Sequence, residues 1–117
     1  MKKKKILVID DTESFLELME AILGAKGYEV TLAKCGEEGI KIVTEKGGYF
    51  DLVITDRQMP RMLGEEVVRI VKFHYPYIKV VLMTADLDEV TASMAKAAGA
   101  DLVLMKSSQM PEVVHKF

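Results

Sequence analysis

The sequence predicts an α/β fold: a doubly wound, five-stranded parallel sheet with helices on both faces. Five strand-like runs alternate with five helix-like runs, the pattern of parallel sheets with helical crossovers. Four of the five strand-like runs are nearly continuous Val, Ile, Leu and Met, as in strands covered on both faces. No repeat, linker or low-complexity stretch interrupts the chain, so we expect residues 1–117 to form one domain.

The strands are predicted where short apolar runs are bounded by polar or turn-forming residues. Their ranges are Lys5–Ile9, Glu29–Ala33, Leu52–Thr55, Val80–Thr84 and Leu102–Met105. The second run is the least apolar, because Glu29 and Thr31 stand between apolar residues. This alternation is typical of an edge strand.

Helices are predicted between the strands from apolar residues three and four positions apart. The second helix spans Glu37–Lys46, and a short last helix, opened by Pro111, covers Glu112–Phe117. The breaks that end the first four helices are Gly24–Gly27, Gly47–Gly48, Pro76 and Gly99. The residues that indicate the first, third and fourth helices are Phe15, Met19, Ile22 and Leu23; Val67, Ile70, Val71 and His74; and Val90, Met94, Ala97 and Ala98.

Composition and charge exclude several classes of protein. A net charge of -2 gives no general attraction to nucleic acid or to a membrane, and no apolar run reaches the roughly 20 residues of a membrane span. The four apolar residues after Lys2–Lys5 are fewer than the about seven of a signal peptide. Cys35 is the single cysteine, which excludes an internal disulfide and a cysteine zinc cluster. These features favour a cytoplasmic protein that binds neither nucleic acid nor membrane.

Acidic residues follow two of the predicted strands. Asp10 and Asp11 follow the first strand, and Asp56 follows the third. If these strands are parallel neighbours, their carboxyl ends bring the three carboxylates into one cleft. Carboxylates about 4 Å apart repel each other by on the order of 4 kcal/mol near a protein surface, so a proton or a divalent cation has to offset the repulsion. Mg2+ is the expected cofactor because it prefers oxygen ligands.

Thr84 and Lys106 also lie at or just after strand ends, and with the acids they suit phosphoryl transfer. Asp56 is the candidate nucleophile, because a carboxylate can form an acyl phosphate. The Thr84 hydroxyl and the Lys106 ammonium are expected to contact phosphoryl oxygens. The expected magnesium site consists of Asp11, Asp56 and the main-chain oxygen of Gln58, with Asp10 orienting a water on the metal.

At these positions the chain resembles the receiver domain of a two-component response regulator. The residues that carry the resemblance, in order, are Asp10-Asp11, Asp56, Met59-Pro60, Gly64, Thr84-Ala85, Gly99-Ala100 and Lys106. They extend over nearly the whole chain, and their combination is far more specific than any single member.

The resemblance implies a flavodoxin-like strand order of 2-1-3-4-5 and a phosphoacceptor switch rather than an enzyme. In that family a histidine kinase or histidine phosphotransfer protein donates a phosphoryl group to the aspartate, here Asp56, in the presence of Mg2+. The domain then assists slow hydrolysis of its own acyl phosphate, and residues at the positions of Gln58 and Asp86 tune its lifetime. Movement of Thr84 changes the surface of the fourth helix and fifth strand, to which an output domain or a target protein responds.

Three residues depart from the family pattern. Val103 stands where an aromatic rotamer switch is usual, Ser107 follows Lys106 where proline is usual, and Leu63 replaces a common acid. Valine has no ring to swing between a buried and an exposed position. The acceptor chemistry is therefore expected to be intact and the signal readout altered.

Two other functions compete with the phosphoacceptor switch. One is an interaction module of receiver type that acts without phosphorylation, which Val103 and Ser107 favour. The other is a Mg2+-dependent aspartyl phosphotransferase enzyme of the haloacid dehalogenase type. That type needs Asp-x-Asp after the first strand, and Asp10-Asp11-Thr12 does not supply it. Nucleotide or flavin binding is disfavoured because residues 11–14 lack glycine for a phosphate-binding loop.

Overall fold

The structure is a computed structural model that describes residues 3–106, in which five strands alternate with four helices. The strands are β1 (Lys5–Ile9), β2 (Glu29–Ala33), β3 (Leu52–Asp56), β4 (Lys79–Thr84) and β5 (Leu102–Met105). The helices are α1 (Glu13–Ala25), α2 (Gly36–Glu45), α3 (Gly64–His74) and α4 (Glu89–Ala98). The expected last helix and Ser107 lie outside the described residues.

The strands form one parallel sheet in the order β2-β1-β3-β4-β5. This confirms the doubly wound sheet and the strand order expected from the resemblance. β2 lies at one edge, as its alternating sequence predicts. Because β1 and β3 are parallel neighbours, the residues that follow Ile9 and Thr55 meet where the carboxyl ends of the strands form one side of the sheet.

The apolar side chains form a separate core on each face of the sheet. On one face, α1 contributes Leu16, Met19 and Leu23. On the other face, α2, α3 and α4 pack on the sheet through Val43, Val67, Val68, Val71, Ala95 and Ala98. Both faces of the sheet are therefore covered, which explains why the strand sequences are continuously apolar.

Some of the residues that indicated α4 and α3 are exposed. In α4 the buried residues are Thr91, Ala95 and Ala98, whereas Val90 and Met94 are 67% and 45% exposed. Of the residues that indicated this helix, Ala98 is buried, whereas Val90, Met94 and Ala97 each lie one position before a buried residue, about 100° around the helix, because small residues rather than large ones pack on the sheet. In α3, His74 is exposed although we placed it on the apolar face.

None of the helices within residues 3–106 is long and apolar enough to cross a membrane.

Candidate functional site

Three carboxylates meet at the edge of the sheet where β1 and β3 end. Asp10 is completely buried, Asp56 is 7% exposed and Asp11 is exposed. Carboxylate oxygens of these three residues lie within 4.8 Å of one another. The cluster is thus open to solvent on the Asp11 side and closed by the sheet on the other.

Asp10 is fixed by two contacts. Its Oδ1 accepts a hydrogen bond of 2.8 Å from the main-chain N–H of Thr12, just before α1. Its Oδ2 lies 2.7 Å from Nζ of Lys106. This carboxylate therefore orients both the start of α1 and the lysine of the site.

Lys106, which follows β5, contacts the acids from the neighbouring part of the sheet. Its Nζ lies 3.7 Å from Oδ2 of Asp56 and 4.5 Å from the centre of the Phe15 ring, a cation–π geometry. Its main-chain N–H donates to the carbonyl oxygen of Thr84 at 2.8 Å. Helical periodicity indicated Phe15 only as a residue of the first helix, and no signal in the sequence predicted its contact with the lysine.

The charge of Asp56 is disfavoured in this setting. Burial, followed by repulsion from Asp10, raises the pKa of Asp56 to about 6, although Lys106 counteracts part of the rise. Asp11 adds to the repulsion. One ammonium group is thus insufficient to balance three carboxylates, and the residues fit a hard divalent cation with oxygen ligands.

Thr84 is buried at the end of β4, and its hydroxyl is engaged by its own loop. The hydroxyl donates to the carbonyl oxygen of Asp86 at 3.0 Å and accepts from the N–H of Asp86 at 3.2 Å. β4 therefore places Thr84 at the same side of the sheet as the acids. The hydrogen bonds of the Thr84 hydroxyl are made with the β4–α4 loop.

The loop between β3 and α3 passes very close to the end of β3. The N–H of Gly64 donates to the carbonyl oxygen of Arg57 at 2.8 Å. A Cβ atom added at Gly64 would lie 2.3 Å from the carbonyl oxygen of Asp56, so only glycine fits here without movement. Gln58 is exposed in this loop, and the role of its main-chain oxygen as a metal ligand stays a prediction.

A partly buried ion pair next to the site was missed by sequence reasoning. Nε of Arg57 donates to Oε2 of Glu65 at 2.8 Å, and Glu65 is buried in the first turn of α3. The available signal was the spacing of Glu65 three residues before Val68, which places an acid on the buried stripe of the helix.

The sheet order and the acid–lysine cluster at its edge define a class of signalling domain. The chain matches the response regulator receiver domain family over residues 6–117 and belongs to that family. Receiver domains are signalling domains and generally not enzymes.

Several proteins of known name resemble this chain. It is 40% identical to the transcriptional regulatory protein ZraR of Klebsiella oxytoca over 101 aligned residues. The alignment covers 86% of this chain and 22% of ZraR. The fold superposes on the chemotaxis protein CheY4 of Vibrio cholerae with a TM-score of 0.90, at 27% identity and 98% coverage of both chains. The response regulator TrrA of Thermotoga maritima, in complex with Mg(2+)-BeF, gives a TM-score of 0.82 at 34% identity, with 97% and 95% coverage. The chain thus spans about a fifth of the length of the regulator ZraR that it matches.

Proposed function

We propose that this protein is a phosphoacceptor switch in which Asp56 receives a phosphoryl group from a histidine kinase or a histidine phosphotransfer protein. The observation that carries the proposal is the convergence of three carboxylates and one ammonium at the sheet edge, within 4.8 Å for the acids. A purely structural role does not account for this arrangement, because burial and then the repulsion from Asp10 raise the pKa of Asp56.

In the proposed reaction, a carboxylate oxygen of Asp56 forms a bond to phosphorus while the bond from phosphorus to the donor histidine nitrogen breaks. The nitrogen keeps the electron pair of the broken bond. Asp10, Asp11, Asp56 and the main-chain oxygen of Gln58 are the residues that would hold Mg2+, Asp10 through a water. When bound, the cation neutralises charge on the transferring group.

Lys106 and Thr84 stabilise the product in this proposal. The Lys106 ammonium, 3.7 Å from Asp56 Oδ2, pairs with one phosphoryl oxygen. The Thr84 hydroxyl leaves Asp86 and donates to another. The acyl phosphate is later hydrolysed slowly, and Gln58 and Asp86 are placed to influence the approach of water.

The relatives suggest which surface of the switch transmits the signal and to what kind of partner. ZraR is named a transcriptional regulatory protein, and this chain spans 22% of it. We propose that residues 1–117 act as a single receiver unit whose α4 and β5 surface is read by an output domain or a target protein. Binding of nucleic acid or membrane by this unit itself is not part of the proposal, and the cytoplasm is its proposed location.

Incubation with Mg2+ and acetyl phosphate, followed by intact mass measurement, tests the acceptor role. One labile phosphoryl group should appear on the wild type and on Asp51→Asn, which removes a carboxylate before β3, at the opposite end of that strand. It should be lost in Asp56→Asn. Phosphorylation that persists in Asp56→Asn contradicts the assignment, and steady turnover of a phosphate monoester would indicate the phosphotransferase instead.

Amide resonances of the wild type, recorded with beryllofluoride, distinguish a switch from a constitutive interaction module. Saturating beryllofluoride with Mg2+ should displace the amide resonances of the β4–α4 loop and α4. Unchanged resonances, in a protein that still accepts the phosphoryl group, would favour the module that acts without phosphorylation.

A further inference from the structure

Phe15, in the first turn of α1, contacts the lysine of the site. The ammonium of Lys106 lies over the Phe15 ring, 4.5 Å from its centre, well within the roughly 6 Å at which the face of an aromatic ring attracts a cation. The side chain of Lys106 is 21% exposed, so water screens this attraction only in part. The ring is therefore a partner of the ammonium in addition to the acids.

The position of the ring is fixed by the start of α1. The N–H of Phe15 donates to the carbonyl oxygen of Thr12 at 3.1 Å, and the partly buried side chain packs against the core under α1. The N–H of Thr12 in turn donates to Oδ1 of Asp10, whose Oδ2 lies 2.7 Å from Nζ of Lys106. Asp10 thus holds the start of α1 with one oxygen and the ammonium with the other.

The Lys106 side chain needs several contacts to be held in one place. Its main-chain N–H is fixed by the carbonyl oxygen of Thr84, but a flexible four-carbon stem separates the ammonium from the main chain. Ordering such a side chain costs conformational entropy. The ammonium is 2.7 Å from Asp10 and 3.7 Å from Asp56, and the ring restricts it further than these acids do alone.

Packing does not by itself explain an aromatic residue at this position. The periodicity of α1 requires only an apolar side chain there, and a leucine would satisfy it. An aromatic ring differs from leucine in its negative face, which attracts an ammonium. The contact with Lys106 therefore accounts for the ring, whereas the core accounts only for an apolar residue.

We propose that Phe15 is a positioning residue, whose ring holds the Lys106 ammonium beside Asp56 so that it is ready to pair with a phosphoryl oxygen. The inference rests on the proposed role of Asp56 as the acceptor. Because the ammonium is already held, less freedom is lost when the phosphoryl group arrives. Loss of the ring should therefore weaken binding of a phosphoryl analogue while the three carboxylates stay in place.

Variants at Phe15 and Lys106 separate the effect of the ring from that of the apolar side chain. Phe15→Leu removes the ring but keeps an apolar side chain, and Phe15→Tyr keeps the ring. Phe73→Leu makes the same exchange at a phenylalanine of α3 that is 81% exposed, and it is the matched control. Lys106→Met removes the ammonium and keeps an unbranched side chain, both alone and combined with Phe15→Leu.

The first measurement is the affinity for beryllofluoride in the presence of Mg2+, followed through the amide resonances. Phe15→Leu should bind beryllofluoride roughly three- to tenfold more weakly than the wild type. Phe15→Tyr and Phe73→Leu should bind it as the wild type does. In the Lys106→Met background, Phe15→Leu should cause no further loss, because the ring then has no ammonium to hold.

The second measurement needs neither beryllofluoride nor Mg2+. The ring current of Phe15 should displace the resonances of the protons next to the Lys106 ammonium upfield of those of exposed lysines. This displacement should persist in Phe15→Tyr and Phe73→Leu and disappear in Phe15→Leu. A purely structural role of Phe15 does not predict this pattern.

Three results overturn the proposal in distinguishable ways. If the wild type binds beryllofluoride and Phe15→Leu binds it equally well, the role of Phe15 is wrong and that of Asp56 stands. If Phe15→Leu weakens binding as much in the Lys106→Met background as alone, the ring acts through packing and not through the ammonium. If the wild type does not bind beryllofluoride at all, the proposed function fails and the inference fails with it.

Discussion

At the scale of single residues, the site contains a carboxylate, Asp56, whose ionisation is unfavourable. The pKa of Asp56 is raised to about 6 by burial and then by Asp10, so its ionised form destabilises the folded protein when no cation is present. Lys106 offsets only part of this, because its ammonium lies closer to Asp10, at 2.7 Å, than to Asp56, at 3.7 Å. The unliganded site is therefore less stable than a neutral one at physiological pH.

Asp56→Asn is expected to stabilise the metal-free protein in a pH-dependent manner. The pKa of Asp56 is about 6 in the folded state, against an ordinary value of 3.8. Protonation of this carboxyl therefore stabilises the folded protein relative to the unfolded chain; the effect is complete below pH 3.8 and is lost as the pH rises through about 6. The advantage of the variant should grow from pH 4.5 to 7.5 and reach at most about 3 kcal/mol. Urea unfolding in EDTA at the two pH values measures it. Glu20→Gln, an exposed acid on α1, is the control, and a variant advantage that is equal at both pH values would contradict the charge argument.

Lys106→Ala is expected to separate acceptance of phosphate from the response to it. The variant keeps all three carboxylates, so it should still be phosphorylated by acetyl phosphate with Mg2+. It loses the ammonium that we propose pairs with the phosphoryl group, so the displacement of α4 resonances by beryllofluoride should shrink. Lys79→Ala, at the exposed start of β4, is the matched control. A full displacement in Lys106→Ala would mean that the lysine has no part in the response.

At the scale of elements, the strands were predictable and the packing of helices less so. All five strands lie within one residue of their predicted limits, because continuous apolar runs have no other stable place than a covered sheet. The spacing located α4 but not its buried face, because size did not indicate which apolar residues pack: Ala95 is buried and Met94 is exposed. The contacts of Phe15 and of Arg57 depend on residues distant in the chain, so no local pattern could reveal them.

Gly64→Ala should perturb the β3–α3 loop next to Asp56, the proposed acceptor. The new Cβ would lie 2.3 Å from the carbonyl oxygen of Asp56 and 2.6 Å from the Leu82 side chain, and crowding of this kind typically costs about 1–3 kcal/mol. Gly24→Ala is the matched control, because Gly24 lies within α1 and a Cβ there meets nothing within 4 Å. That variant should gain up to about 1 kcal/mol from helix propensity. Urea midpoints compare the two, and a Gly64→Ala protein as stable as the wild type would show that the loop can move away.

At the scale of the whole molecule, the site is a consequence of strand order. Asp10 follows β1 and Asp56 is the last residue of β3, and the whole of α1, β2 and α2 lies between them in the chain. They meet because β1 and β3 are neighbours in the order β2-β1-β3-β4-β5, at the point where the winding of the sheet reverses. The positions of the acids at strand ends predicted this meeting on the condition that β1 and β3 are neighbours, and the family resemblance implied that order. The exposure of each acid, by contrast, depends on the folded loops around it.

Because the site joins both halves of the sheet, binding of Mg2+ there should stabilise the entire fold. A ligand that binds only the folded state raises the free energy of unfolding by about 2.7 kcal/mol at a concentration of 100 times its dissociation constant. Asp11→Asn removes an exposed carboxylate that we propose as a ligand at little cost to the apo protein, so most of this gain should disappear. Glu20→Gln removes an exposed acid elsewhere on α1 and should keep it. Thermal unfolding of the three proteins over a series of Mg2+ concentrations measures the effect, and an equal rise in melting temperature for Asp11→Asn and the wild type would place the cation elsewhere.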